Sequence, residues 1–242
     1  MKLKVLLLAA LFAVSNTTSA AIITYFGQDQ NPGGVVPANG NASSAQSDFL
    51  SVLTGVGIEN FDSLPNVGSS GPFSIDFAGS AGNINASLSG SSLDLRNSSS
   101  SGTYATSGNQ FLRAITNTSA TSFTINFSSA IAAFGFFGTD LGDASGGDLR
   151  LTLSNGTTQD FLIDVDPSNS GNLIFFGFVS NSDTFTSVSF SNTAGSGDFW
   201  GFDDMIVGDL GQVTDVPAPN TFFLSLFGLL GLASAKRISR KR

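Results

Sequence analysis

Apolar and polar residues alternate with a period of two along much of the chain. Phe73, Ile75 and Phe77 are separated by polar residues, and the same alternation recurs in segments 84–88, 123–127, 149–153 and 161–165. This pattern is typical of antiparallel strands that bury one face. Asn155-Gly156, between the last two segments, predicts a tight hairpin.

Within residues 21–215, only the stretch 44–53 predicts a helix. Ser43 and Gln46 have the spacing of a capping box, and one side of the helix is apolar (Ala45, Phe49, Val52, Leu53). Many short strands, one short helix and no alternation of strands with helices predict an all-β fold. We expect an antiparallel β-sandwich of the jelly-roll type.

Three segments share the theme aromatic-Gly-Phe: Phe134-Gly135-Phe136, Phe176-Gly177-Phe178 and Trp200-Gly201-Phe202. Their unequal spacing argues against a solenoid. We expect central strands in which the missing Cβ lets a bulky neighbour lie across the backbone. The alternative is an aromatic platform for ligand stacking, with Trp200 as the ligand contact.

Basic residues are concentrated at the two ends of the chain. Of the 10 Lys and Arg, only Arg96, Arg113 and Arg150 lie between Ala21 and Val216, whereas all 18 Asp and Glu lie there. Three positive against 18 negative charges give this central part a formal charge of −15. Such a surface repels nucleic acid, so we expect no nucleic-acid partner.

The N-terminus has the parts of a secretory signal peptide over residues 1–20. Lys2 and Lys4 precede an apolar run, 5–14, and a small polar segment that ends with cleavage between Ala20 and Ala21. Ten apolar residues are too few to span about 30 Å of hydrocarbon. The expected partners are the secretion translocon and signal peptidase.

Residues 21–215 are expected to form one acidic domain. The chain has no Cys, so the stability of this domain must come from its packed core. Within the domain, the Ser/Thr/Gly/Asn-rich stretch 97–109 predicts a loop without chemistry of its own.

The C-terminal segment 216–242 has three parts. Val216, Pro217, Ala218 and Pro219 form an extended approach, 221–235 is an apolar helix, and 236–242 is basic. At about 1.5 Å per residue the helix reaches only some 22 Å, which is short for an anchor in a bilayer. We therefore predict a segment that enters the inner membrane transiently and is then cut; the alternative is a permanent tail anchor.

The order of these three parts resembles the PEP-CTERM sorting signal, in which a Val-Pro-Glu-Pro-like motif precedes an apolar helix and an Arg-rich tail. Ala218 stands where that family usually has Glu. The resemblance implies processing by an exosortase-type membrane protease and a final location at the cell surface or outside the cell. It also implies a structural or adhesive role in the exopolysaccharide layer of a biofilm; the alternative is a carbohydrate-binding module.

Three segments of the central part also resemble the jelly-roll ectodomains carried by many PEP-CTERM proteins. They are 58–62, 133–140 and 202–207, which match an early acidic strand, a middle strand and a closing strand. This resemblance supports the fold and does not identify a ligand.

Catalytic chemistry has few residues to draw on. The chain has no His and no Cys, which excludes Ser/His/Asp and Cys/His nucleophiles, and Glu59 is its only Glu. We therefore expect no enzyme activity. Carbohydrate sites favour Trp and Tyr, and the chain has one Trp and two Tyr.

A structural Ca²⁺ is the one cofactor that the acidic residues suggest, because calcium takes six to eight oxygen ligands. One candidate site is a Gly-rich loop that contains Asp140, Asp143 and Asp148. The other would join acidic residues of the first and closing strands: Glu59, Asp62, Asp203 and Asp204. The alternative for both sets is that these carboxylates are solvated turn formers.

Overall fold

The structure is a computed structural model that describes residues 22–214 except 66–67, 69, 91, 117–120, 143–148, 157, 167–169 and 194–196. The predicted signal peptide 1–20, its cleavage site Ala20–Ala21 and the predicted sorting segment 216–242 lie outside the described residues. Among the residues described, no helix is long and apolar enough to cross a membrane.

The described residues form thirteen strands, one α-helix and one turn of 3-10 helix. They are β1 (Ile22–Asp29), α1 (Asn41–Ser51), β2 (Gly57–Glu59), β3 (Phe73–Gly79), β4 (Gly82–Gly90), β5 (Leu93–Arg96), β6 (Phe111–Thr116), β7 (Thr121–Ile131), β8 (Ala133–Thr139), β9 (Leu149–Ser154), β10 (Thr158–Ile163), β11 (Leu173–Ser180), β12 (Phe185–Asn192), β13 (Asp198–Gly208) and the 3-10 turn Leu210–Gln212.

The strands pair antiparallel in the order β1-β11-β8-β13-β2-β3-β4-β7-β12-β9-β10, with β5 and β6 attached beside β13. The sheet curls so that two layers face each other. One layer contains β1, β11, β8, β13, β6 and β5, and the other runs from β3 to β10. The short strand β2 joins them, pairing with β13 and, at Ile58, with Ala78 of β3. The predicted antiparallel β-sandwich is confirmed.

The alternating segments are strands, as the sequence pattern predicts. Ile75 and Phe77 on β3 are buried while their polar neighbours are exposed, and the same pattern holds along β4 and β7. The hairpin predicted at Asn155-Gly156 connects β9 to β10, with Ser154 opposite Thr158. Gly156 has φ +104°, a conformation that favours glycine.

Phenylalanine rings fill the space between the two layers. Phe123 and Phe190 of one layer stack with their ring centroids 4.1 Å apart. Phe136 and Phe202 of the other layer contact Phe190 at 5.3 and 5.2 Å. Since burying one such side chain contributes about 1.5 to 3 kcal/mol, this apolar core is what holds a Cys-free domain together.

Helix α1 differs from its prediction at its N-terminus. It spans Asn41–Ser51 rather than 44–53, and its N-cap, Gly40, makes no side-chain capping bond. The capping box predicted at Ser43 and Gln46 is wrong, because the Ser43 hydroxyl donates to the carbonyl of Pro37. The carboxylate of Asp29, at the end of β1, takes its place and accepts from the backbone N–H groups of Asn41 and Ala42 at 2.8 and 3.1 Å.

Phe49 of α1 lies across two strands of the first layer. Gly135 of β8 and Gly177 of β11 are directly opposite each other. A Cβ on Gly177 would lie 2.7 Å from the ring of Phe49, and one on Gly135 would lie 3.0 Å from it. The prediction that a missing Cβ admits a bulky neighbour is therefore confirmed at these two triplets.

Candidate functional site

Trp200 lies in the core and not on a ligand platform. Its side chain is fully buried. The indole Nε1–H donates to Asp198 Oδ2 at 3.0 Å, and the ring contacts Phe202 edge-on. Because the ring offers no face to solvent, the alternative in which Trp200 contacts a ligand is wrong, and the expected position in the core is confirmed.

The preceding residue, Phe199, occupies the opposite face of β13. It pairs with Ile115 of β6, and the two side chains are 36% and 37% exposed. The guanidinium carbon of Arg113 lies 5.0 Å from the centroid of the Phe199 ring. Phe199 and Ile115, with the largely buried Arg113 beside them, thus form a partly exposed surface on the outer side of the sandwich, which we call the Phe199 face.

Charged side chains border the Phe199 face on β5 and β6. Arg113 donates from Nε and Nη2 to the two carboxylate oxygens of Asp94, at 3.0 and 2.8 Å. Arg96 Nε lies 2.8 Å from the same carboxylate. Two of the three arginines between the predicted sorting signals therefore meet here. With one carboxylate between them, they give this edge of an acidic domain a local charge of +1 and several N–H donors.

The alternation of β13 contains the signal that identifies Phe199. Trp200 and Phe202 face inward, so Phe199 must face outward, next to the outward positions of β6. A search for ligand contacts by residue type selects Trp200. The alternation of inward and outward side chains along β13 instead selects Phe199.

The acidic residues of the closing strand hold a loop. Asp203 Oδ2 accepts from the backbone N–H groups of Thr106 and Ser107 at 2.7 and 3.1 Å. The carboxylate of Asp204 accepts from the hydroxyls of the same two residues at 2.7 and 2.6 Å. Two adjacent carboxylates on β13 therefore fix the chain just before β6.

Asp62 extends this arrangement from the segment after β2. Its Oδ1 accepts from the backbone N–H groups of Asn109 and Gln110, each at 2.8 Å. We call residues 104–110, held by Asp62, Asp203 and Asp204, the clamped loop. Glu59 instead accepts from the N–H of Phe61 at 2.5 Å.

The structure does not assemble the second candidate calcium set. Within the described part of the chain, no three acidic side chains come together in a group that could hold a metal ion. The prediction of a shared metal site formed by Glu59, Asp62, Asp203 and Asp204 is therefore wrong. The physical reason is that each carboxylate is directed at N–H or O–H donors of its own.

The environment of Asp203 favours its neutral form. Burial of the carboxyl, followed by the nearby charge of Asp204, raises the pKa of Asp203 to about 8, although three backbone N–H groups oppose the shift. Burial also raises the pKa of Glu59. One of the carboxyls that hold the clamped loop, Asp203, is thus costly to ionise in the folded state.

The first candidate calcium set is only partly described. Asp140 is buried at φ +60°, and its Oδ1 accepts from Ser170 Oγ at 2.9 Å and from the N–H of Gly171 at 2.6 Å. Asp143 and Asp148 lie outside the described residues. Calcium binding by this loop stays a prediction.

Comparisons with known proteins show only distant likeness. No family model matches the chain, and no curated protein is similar to it. The xylan-binding domain CBM22-1 of Paenibacillus barcinonensis Xyn10C shares 16% identity over 53% of this chain and 87% of that chain, with a TM-score of 0.34.

Two further structures resemble the fold at the same level. TmCBM61, in complex with beta-1,4-galactotriose, shares 13% identity over 51% of this chain and 88% of its own, with a TM-score of 0.28. The family 11 carbohydrate-binding module from Clostridium thermocellum, in complex with a mixed-linked tetrasaccharide, shares 10% identity over 67% of this chain and 99% of its own, with a TM-score of 0.31. At such scores the likeness does not assign a ligand.

Proposed function

We propose that the β-sandwich is a polysaccharide-binding domain of an exported surface protein, and that the Phe199 face is its contact surface. The observation that carries the proposal is the exposed Phe199 ring beside Arg113. Most other phenylalanines of the described chain are buried, so an exposed ring next to hydrogen-bonding side chains is a distinct feature. Such binding would hold the protein in an exopolysaccharide layer.

The chemistry of the Phe199 face suits a neutral sugar chain. The C–H face of a sugar ring packs against an aromatic ring, and its hydroxyls accept from arginine and donate to carboxylate. The formal charge of −15 on the surrounding domain disfavours an anionic polymer. Asp94 offsets one of the two positive charges of Arg96 and Arg113, so a local charge of only +1 remains to attract one.

Affinity electrophoresis of the full-length protein in gels that contain soluble neutral glucans, xylans or galactans tests this function. We expect retardation by at least one polymer and its loss in Phe199→Ala. The matched control is Phe26→Ala, since Phe26 is also exposed but lies on the edge strand β1. Equal retardation of the wild type and Phe199→Ala would assign the binding elsewhere, and no retardation by any polymer would refute the function.

We further propose that the chain reaches the surface through its two terminal segments. Removal of residues 1–20 between Ala20 and Ala21, and exosortase processing at Val216–Pro219, would deliver the domain from an inner-membrane intermediate. The basic run 236–242 supports this topology, because such clusters stay on the cytoplasmic side.

Mass spectrometry of surface-exposed protein tests the sorting. The expected mature chain begins at Ala21 and lacks the apolar segment 221–235. Deleting 236–242 should impair processing, because those charges hold the tail on the cytoplasmic side. Intact Arg242 on wild-type surface protein would contradict the proposal.

A further inference from the structure

The Phe199 face continues onto a third strand. Phe199 of β13 lies opposite Ile115 of β6, and both side chains point to the outer side of the sheet. The backbone N–H of Ile115 donates to the carbonyl oxygen of Ser92 at 2.9 Å. Ser92 directly precedes β5, whose Leu93 lies opposite Ala114 of β6, so Ser92 takes the position beside Ile115. We call Phe199, Ile115 and Ser92 the cross-strand row.

The cross-strand row is open to solvent, whereas the surface next to it is closed. Phe199 and Ile115 are each more than a third exposed, and Ser92 is half-buried. Gly201 lies opposite Arg113 in the adjacent row. Arg113 is only 8% exposed, and Gly201 has no room for a Cβ. The open surface therefore extends across the strands, and since neighbouring strands lie about 4.8 Å apart, it covers about 10 Å from β13 to β5.

Polar groups accompany the cross-strand row on the Arg113 side. The guanidinium carbon of Arg113 lies 5.0 Å from the centroid of the Phe199 ring. Asp94 of β5 holds Arg113 through two hydrogen bonds, and its carboxylate also lies 2.8 Å from Arg96 Nε. The side chain of Arg96 is 34% exposed, so it presents N–H donors to solvent at the β5 end. The row thus combines apolar contact with polar groups near both of its ends.

One sugar ring does not fill the cross-strand row. A ring stacked on Phe199 leaves Ile115 one strand away, and the N–H donors of Arg96 lie on β5, one strand further. The rings of a glycan chain follow one another in line, and each presents C–H groups on its faces and hydroxyls at its edge. A chain placed across the strands brings a second ring to Ile115, with hydroxyls toward Asp94 and Arg96. A chain placed along β13 would run into the closed surface at Gly201.

We propose that the cross-strand row binds at least two consecutive rings of one neutral glycan chain that runs across β13, β6 and β5. This inference rests on the function proposed for the Phe199 face and defines its ligand further, as a chain segment and not a single sugar. Phe199 is the platform for one ring, and Ile115 is the platform for the next. Phe199 is therefore needed for every chain, whereas Ile115 determines the shortest chain that binds tightly.

Titration calorimetry of the full-length protein tests the number of rings bound. The probes are glucose, xylose and galactose and their neutral oligosaccharides of two to six units. The wild-type affinity should rise about tenfold from the single sugar to the chain of two or three units and then level off. Ile115→Ala should lower the affinity for these chains about fivefold, because it removes part of one apolar contact, and should leave the weaker binding of single sugars unchanged.

Ile58→Ala is the matched control. It makes the same change at an isoleucine that is 46% exposed on β2, outside the cross-strand row, so it should leave the affinity for every probe unchanged. Both isoleucines are exposed, so both variants should fold and melt close to the wild-type temperature.

The outcomes separate this inference from the function on which it rests. If Phe199→Ala loses polymer binding but Ile115→Ala matches the wild type at every chain length, the inference is overturned and the function of the Phe199 face stands. Single sugars that bind as tightly as longer chains overturn the inference as well. Absence of binding to every polymer and oligosaccharide refutes both. A wild-type dimer in sedimentation that Ile115→Ala dissociates would assign the row to a second copy of the chain and overturn the inference.

Discussion

The outer face of the β11–β8–β13 layer is covered in two different ways. Over Gly135 and Gly177 it is covered by helix α1, whose Phe49 ring lies against both strands. A Cβ on Gly201 would meet the Thr139 side chain of the neighbouring strand β8 first, and then Thr103, in the turn that leads into the clamped loop. The first cover packs by apolar contact, and the clamped loop is held by hydrogen bonds to carboxyls.

The difference explains where ligand sites can form. Apolar packing fills the space that a missing Cβ leaves, so the helix-covered region has no room for another molecule. A loop held by discrete hydrogen bonds keeps its shape without filling the space around it. The Phe199 face lies beside this second cover, because Phe199 and Gly201 lie on the same side of β13. The surface proposed to bind a ligand is therefore separate from the helix-covered region.

The largest effect should come from emptying the helix-covered region. Phe49→Ala creates a cavity against two glycines, and such changes cost about 3 to 5 kcal/mol. At about 2 to 4 °C for each kcal/mol, the melting temperature should fall by roughly 10 °C. Phe199→Ala, the same change on an exposed ring, should cost no more than about 0.5 kcal/mol. Similar losses in the two variants would remove the contrast between the regions.

A smaller effect is expected from releasing the clamped loop. Asp203→Ala leaves the N–H groups of Thr106 and Ser107 without their acceptor, at a cost of about 1 to 3 kcal/mol. Amide hydrogen exchange should accelerate at these two residues and stay unchanged in α1. Asp76→Ala, on the exposed side of β3, is the control. Equally faster amide exchange in α1 would show that the helix and the clamped loop open together, which contradicts the contrast between the two regions.

The pH dependence of stability should reflect the buried carboxyls. The pKa of Asp203 is raised to about 8 in the folded state, so between about pH 4 and 8 the folded chain keeps a proton that the unfolded chain has lost. Stability must then fall as pH rises through this window, and the raised pKa of Glu59 acts in the same direction. The melting temperature should be higher at about pH 5 than at about pH 8.5.

Asp203→Asn tests the origin of that slope. The variant lacks the titrating group, so its melting temperature should change less between the two pH values. A wild-type melting temperature that rises from acid to alkaline pH would contradict the environment described for Asp203.

The smallest expected effect is that of calcium at the Asp140, Asp143 and Asp148 loop. Millimolar Ca²⁺ should raise the melting temperature relative to chelator by an amount that mass action sets. Asp143→Ala should abolish the rise, whereas Asp62→Ala should not, because Asp62 belongs to the clamped loop. Identical melting curves with Ca²⁺ and chelator would leave these residues as turn formers.

Local patterns in the sequence predict much of the fold. The period of two identifies β3, β4, β7, β9 and β10, because each of these strands buries one face. The start of α1 is not predictable in this way, because its capping carboxylate, Asp29, comes from another element. The aromatic-Gly-Phe triplets predict that a bulky side chain lies close to the backbone at the glycine. They do not indicate that this side chain is Phe49.

The candidate sites were less accessible to sequence reasoning. Phe199 follows from strand parity once β13 is placed, so the signal was present. The clamped loop lies largely in a stretch of Ser, Thr, Gly and Asn whose composition indicates only a loop, and the sequence does not indicate that Asp62, Asp203 and Asp204 hold it. The partners of Asp62 and Asp203 likewise come from backbone N–H groups, which no side-chain pattern reveals.

The pairing of β1 determines when the domain can fold. Ile22 of the first strand lies opposite Ser180 of β11, and Leu53 pairs with Val213. A chain that emerges N-terminus first therefore has no partner for β1 until most of the domain has followed, and such non-local pairing is slow to form. The export proposed above would therefore carry an unfolded chain through the translocon. The arrival of β13, which joins β8, β6 and β2, then closes the sandwich.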